Sequence, residues 1–196
     1  MVTRHEDVEV FVRIAEKLFQ SEMLPAEGRL VATRVFERLR GPSDDGHRLH
    51  AHFPASAWID EALAPVVERQ TDLGVAARAI QALVPVVGWN RRTSGENGSS
   101  GYVDSHVHGI ICGPGGAESR YDVQLGFTVM APRVRYPDHN HPPQEAYVLF
   151  TEGEFLQEGG DWFSPGLGGG IHNSPFSIHA MRSGEVPFLA VWCLLV

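Results

Sequence analysis

Residues 136–147 read Tyr-Pro-Asp-His-Asn-His-Pro-Pro-Gln-Glu-Ala-Tyr, and no other stretch constrains this chain as tightly. The flanking segments alternate polar and apolar residues as strands do. Residues two apart on a strand project from one face, so His139 and His141 can reach a common point. Glu145 and Tyr147 share a face on the strand that follows. Imidazoles with one carboxylate, leaving coordination positions open, suit a catalytic divalent metal such as iron, manganese, cobalt or zinc. His172 or His179 can add a fourth protein ligand from downstream.

Such a site needs a β scaffold, and the texture of the chain provides one only in its second half. Up to about residue 90 the apolar residues keep helical spacing. Val8, Phe11, Ala15, Leu18 and Phe19 form one stripe, and Val31, Val35, Phe36 and Leu39 form a second that Gly41-Pro42 stops. A third segment starts near Ser56 and meets Pro65, which kinks or splits it. A fourth follows Thr71, a candidate N-cap, and ends at Pro85. Residues 91–101 are polar and rich in glycine and serine, which reads as a connector or a mobile lid beside a site. From Tyr102 onward short strands alternate with turns, with candidates at 102–112, 121–130, 145–151, 154–157, 161–163, 177–182 and 187–195. Many short, closely spaced strands predict a sandwich or barrel. The expected organisation is a helical subdomain over 1–90, a glycine-rich loop over 91–101 and a β-barrel over 102–196.

Composition narrows the function. The apolar share of 43% and charged share of 20% are those of an ordinary globular protein. A net charge of −8 without a basic run argues against nucleic acid and anionic membranes as partners. Cys112 and Cys193 sit in apolar strand-like runs and read as two buried free thiols. A polar N-terminal stretch and the lack of a bilayer-length apolar run point to a cytoplasmic protein.

The His139-x-His141-x-x-x-Glu145 pattern, with Gly126 before it and Gly153 after it, resembles the metal motif of the cupin superfamily. Pro175-Phe-Ser-Ile-His179 resembles its second motif, with His179 in the position of the last ligand. Ser177 stands where a glycine is usual, and the proline-to-histidine spacing is one residue short. The fold implied is mainly β with an N-terminal helical part, a cupin double-stranded β-helix or jelly-roll barrel. Tyr136 ahead of the histidines, Glu145-x-Tyr147 and His179-Ala-Met together look like the cupin-type dimethylsulfoniopropionate (DMSP) lyases of the DddQ-like branch. That resemblance implies β-elimination of DMSP to dimethyl sulfide and acrylate with one divalent metal ion (Fe2+, Zn2+, Mn2+ or Co2+). It implies His141, Glu145 and His179 as metal ligands and His139 as a ligand or close neighbour. Tyr147 would lie at the metal, and Tyr147 or Tyr136 would be the base. The face that Tyr147 shares with Glu145, and its closeness to that ligand in sequence, rank it ahead of Tyr136.

The chemistry of a zwitterionic sulfonium substrate suits such a site. A metal can draw electrons from the carbon beside the carboxylate, and it favours phenolate in a nearby tyrosine. An aromatic face is the natural partner of a sulfonium, with Trp162, Trp192 and Tyr102 as candidates beside Phe163 and Phe176. The second pair, His106 and His108, lacks a following glutamate and reads as lining the barrel or bonding within it. It also competes with His139 and His141 as a metal pair. Arg133 and Arg135 read as a solvated strand face or as a partner for the carboxylate. His47, His50 and His52 read as solvent-facing. Two other functions remain open: an iron-dependent dioxygenase on the same ligand set, or a non-catalytic small-molecule-binding cupin. Assembly as a homodimer also stays open.

Overall fold

The computed structural model describes residues 3–43 and 53–196, so His47, His50 and His52 lie outside the described residues. Among the described residues four α-helices precede eight strands. Helix α1 spans Glu6–Leu18, α2 Ala26–Leu39, α3 Ile59–Val67 and α4 Asp72–Leu83, with a 3-10 turn Pro54–Trp58 leading into α3. The strands are β1 Gly88–Asn90, β2 His106–Cys112, β3 Val123–Met130, β4 Gln144–Leu149, β5 Glu154–Gln157, β6 Gly170–Asn173, β7 His179–Arg182 and β8 Phe188–Leu195. Thr71 caps α4 by accepting the Gly74 amide at 3.3 Å. Pro65 lies inside α3 within its last turn, so it shortens that helix without splitting it.

The strands form a six-stranded antiparallel sheet in the order β1-β2-β3-β8-β4-β6, faced by the pair β5-β7. Alternation along each strand sorts the side chains between two cores. On β3, Val123, Leu125, Phe127 and Val129 join the helices in one apolar cluster, while Met130 joins a second cluster inside the barrel. On β8, Leu189, Val191 and Cys193 face the helices, and Phe188, Ala190, Trp192 and Leu194 face the barrel interior. Burial on both faces explains why these strands read as nearly continuous apolar runs. The outer cluster includes buried residues of all four helices, which therefore form one continuous core with the sheet. Cys112 and Cys193 are buried free thiols on that outer face.

Three local readings differ from the structure. Gly88–Asn90, inside the stretch read as helical, pairs with β2 as an edge strand. Strand β6 was hidden because it follows directly on the glycine-rich run. The 161–163 segment makes only one isolated bridge, Phe155 to Phe163. No helix among the described residues is long and apolar enough to cross a membrane.

Candidate active site

The open end of the barrel holds a cavity of about 490 Å³, lined by β2, β3, β4, β7 and β8 and by the start of the 91–101 segment. Tyr136, His139 and His141 reach it from the connection between β3 and β4, which bridges to β7 at Arg135–Arg182 and His139–His179. This segment is extended but only bridged, not a full strand. His139 and His179 face each other as a bridged pair, exchanging backbone hydrogen bonds of 3.0 and 2.9 Å. After the turn at 140–143 the chain enters β4, which carries Glu145 and Tyr147 on one face. The turn before His179 accommodates the missing glycine by placing Phe176 in the left-handed region at φ +61°.

His139, His141 and His179 each offer a ring nitrogen, and the three lie within 4.8 Å of one another. In each ring Nδ1 donates to a carbonyl two residues away: His139 to Pro137 at 3.0 Å, His141 to Pro143 at 2.9 Å and His179 to Ser177 at 2.9 Å. A carbonyl only accepts, so the proton sits on Nδ1 and the Nε2 lone pair is free for a ligand. Glu145 Oε2 lies 3.2 Å from His141 Nε2 and 3.4 Å from His179 Nε2. The latter contact lacks hydrogen-bond geometry, so His179 Nε2 is a buried nitrogen without a partner. Such an atom is costly unless something else satisfies it. Three inward-facing Nε2 atoms, that of His141 already against Glu145, converge with the carboxylate in a buried site and fit a divalent metal.

The electrostatics agree with that fit. Burial alone would raise the Glu145 carboxyl, yet His141 and His179 hold it well below the usual range. Burial, and then His179, depresses His139 to about 3. For His141 the burial penalty is outweighed by Glu145, which raises its pKa. Burial pushes the Tyr147 phenol up, and the neighbouring Glu145 anion pushes it further. Tyr136 is also raised by burial and by Glu145, and the positive charge of Arg92 opposes the shift of both phenols.

Of the residues singled out from sequence, Tyr136, His139, His141, Glu145, Tyr147, His108 and Trp192 line this one cavity, with His179 buried behind His139 and Glu145. His106 is fully buried and does not line it. Its Nδ1 donates to the Tyr102 carbonyl at 2.6 Å, and its Nε2 accepts the Arg92 amide at 3.0 Å. With both nitrogens used, His106 stands apart from the metal cluster. Tyr102 stacks on His106 with 5.4 Å between ring centres, outside the cavity lining. Trp162 lies outside as well, with Arg182 over its ring at 4.3 Å and Arg135 at 5.5 Å. Phe163 and Phe176 are exposed. His172 bonds Gln144 at 3.1 Å and does not join the cluster. Arg133 pairs with Glu185, and Arg135 with Asp138.

Three contributors escaped the sequence reading. Asn173 donates to Glu145 Oε2 at 3.1 Å, and Thr128 bonds both His108 and Trp192. Arg92 lines the cavity, and its guanidinium has no hydrogen-bond or salt-bridge partner among the described residues. Only its place directly after β1, in a loop read as a possible lid, hinted at that position.

A jelly-roll barrel of this kind defines a cupin, and its interior gathers three histidines that could hold a metal beside a glutamate. Residues 27–190 match the profile of the dimethylsulfoniopropionate lyase family, and the chain belongs to that family. It is therefore an enzyme, a lyase. It is 28% identical over 164 residues to dimethylsulfoniopropionate lyase DddQ of Ruegeria pomeroyi, covering 73% of this chain and 82% of that protein. The crystal structure of that DddQ superposes with a TM-score of 0.67 at 19% identity, over 96% of this chain and 92% of the other. A chain from the crystal structures of the DMSP lyases RdDddP and RnDddQII superposes with a TM-score of 0.72 at 18% identity, over 97% and 92%.

Proposed function

We propose that this protein cleaves DMSP to dimethyl sulfide and acrylate by metal-dependent β-elimination. The observation that carries the reading is the buried, unpartnered Nε2 of His179 beside Glu145, behind a cavity that two phenols line. His139, His141, Glu145 and His179 would hold the metal. When bound, it supplies Lewis acidity toward the substrate carboxylate, which makes the adjacent α-proton easier to remove. Arg92 adds a positive charge to the cavity wall and is a partner for the substrate carboxylate. The ring of Trp192 offers a face to the sulfonium, a contact worth roughly 0.5–2 kcal/mol.

A tyrosine, already a phenolate because a bound metal would favour loss of its proton to solvent, takes the α-proton and becomes a neutral phenol. The electrons of that C–H bond become the new double bond, and the C–S bond breaks toward sulfur, so dimethyl sulfide leaves neutral. Tyr136 suits the base better than Tyr147, which reverses the order suggested by sequence proximity to Glu145. His108 Nε2 stands 3.1 Å from the Tyr136 oxygen, and although Glu145 raises both phenols it ranks next after burial at Tyr147 but behind the opposing charge of Arg92 at Tyr136. Tyr147 then keeps its proton beside Glu145.

The test is to incubate metal-loaded protein with DMSP under nitrogen and measure headspace dimethyl sulfide together with acrylate. Both products should appear in equal amounts and be lost with a chelator. Turnover that requires oxygen would point instead to an iron dioxygenase. Binding without any product would point to a sensor.

A further inference from the structure

We propose that His108 is a positioning residue for Tyr136, locked as its Nε2–H tautomer by Thr128 and Trp192. The inference rests on the reading of Tyr136 as the base. The strand register brings the parts together, because His108 of β2 lies directly opposite Thr128 of β3, and Gly126 of β3 lies opposite Trp192 of β8. A Cβ on Gly126 would stand 2.6 Å from the Trp192 ring, so glycine is what lets the indole lie across β3 toward Thr128.

The direction of the hydrogen bonds follows from donor chemistry. An indole N–H can only donate. Trp192 Nε1 donates to Thr128 Oγ1 at 2.9 Å, and Thr128 is fully buried. The remaining partner of the Thr128 hydroxyl is His108 Nδ1, at 2.8 Å. If Nδ1 carried the proton, Thr128 would receive two donors and its own hydrogen would be stranded in a dry interior, an arrangement folded proteins avoid. Thr128 therefore donates to Nδ1. The ring, kept neutral by burial, then carries its proton on Nε2, which faces the Tyr136 oxygen at 3.1 Å. Every donor in the chain points the same way, and the last ends on the phenol oxygen. That oxygen is held in place as an acceptor, and its own hydrogen, or the lone pair left after proton loss, is turned toward the cavity.

The direct test is the ring nitrogen shifts of His108 in zinc-loaded, 15N-histidine-labelled protein, assigned by their loss in His108→Gln. A pyridine-type Nδ1 and a pyrrole-type Nε2 are expected. The opposite tautomer overturns the inference whatever the turnover. Thr128→Val should release the tautomer and lower kcat about tenfold, with KM changed less than about twofold, because only the alignment of the base is lost. Thr128→Ser, which restores the hydroxyl, should recover both. A Thr128→Val protein with native kcat and native shifts would also overturn the inference. If the expected tautomer is present but no dimethyl sulfide forms, the proposed lyase reaction fails while the positioning of Tyr136 stands.

Discussion

At the scale of single residues the site is governed by which nitrogen carries a proton. Each of the three clustered histidines spends Nδ1 on a carbonyl two residues away, which fixes the ring and presents Nε2 inward. His141→Ala and His179→Ala should therefore lose bound metal while circular dichroism stays native. His106→Ala should keep its metal, since that ring is fully occupied by Tyr102 and Arg92. Elemental analysis of the three variants decides the matter, and metal kept in the first two would move the site to the His106 and His108 pair. Tyr136→Phe retains the ring and deletes the acid–base group, so kcat should fall by about 10²–10⁴-fold. Tyr147→Phe should cost less, because it removes a phenol that is not the base under this reading. A dead Tyr147→Phe beside an active Tyr136→Phe would exchange the two roles.

At the scale of elements, the 91–101 segment is more than a connector. Its first residues line the cavity, while its later part is bonded to the chain that carries the histidines. Ser99 donates its amide to Arg135 at 3.0 Å, and Asp138 donates its amide to Glu96 at 3.0 Å. The Arg92 amide is anchored to buried His106. The bonding thus ties the segment down at Arg92, Glu96 and Ser99 and leaves Thr93–Gly95 between the anchors. Hydrogen exchange should show slow amides at Arg92 and Ser99 flanking fast ones at Thr93–Gly95, with the fast set slowing when a non-reacting substrate analogue binds. Uniformly fast exchange across the segment would mean that the anchors do not hold in solution. The helices contribute differently. Helix α2 packs on β4 and β8, the strands that carry Glu145, Tyr147 and Trp192, so it backs the site without touching it.

At the scale of the whole molecule, buried imidazoles make stability depend on pH. Burial lowers the pKa of His106, and that of His108 to about 3. In the unfolded chain both titrate near ~6.5. Below that value the unfolded state binds more protons than the native one, so stability falls as pH drops from about 6.5 toward the depressed native values. The slope is about 1.4 kcal/mol per pH unit for each histidine that stays neutral only when folded. Thermal unfolding between pH 7 and pH 4 should show a shallower acid decline for His106→Gln than for the parent protein. Parallel curves would mean that His106 takes up its proton without unfolding.

Much of this was legible in the chain itself. Period-2 and period-3.6 patterns are local, so the helical first part, most strands and the Thr71 cap could be read directly. The spacing of His139, His141 and Glu145 marked the site, because few packing needs produce two histidines and a carboxylate at those intervals. What the sequence could not supply was pairing at a distance. Asn173 reaches Glu145 only because β6 lies beside β4, and Arg92 joins the cavity only because its amide is tied to His106. Trp162 and Trp192 looked equivalent as sulfonium partners; the β8 register turned one inward, and two arginines cover the other outside. Thr128 was one more polar residue in a strand until the β2–β3 register set it against His108. Residue type and spacing determined which chemistry the chain could perform, whereas contacts between distant strands, which leave no periodic trace, decided which groups meet and which way their protons point.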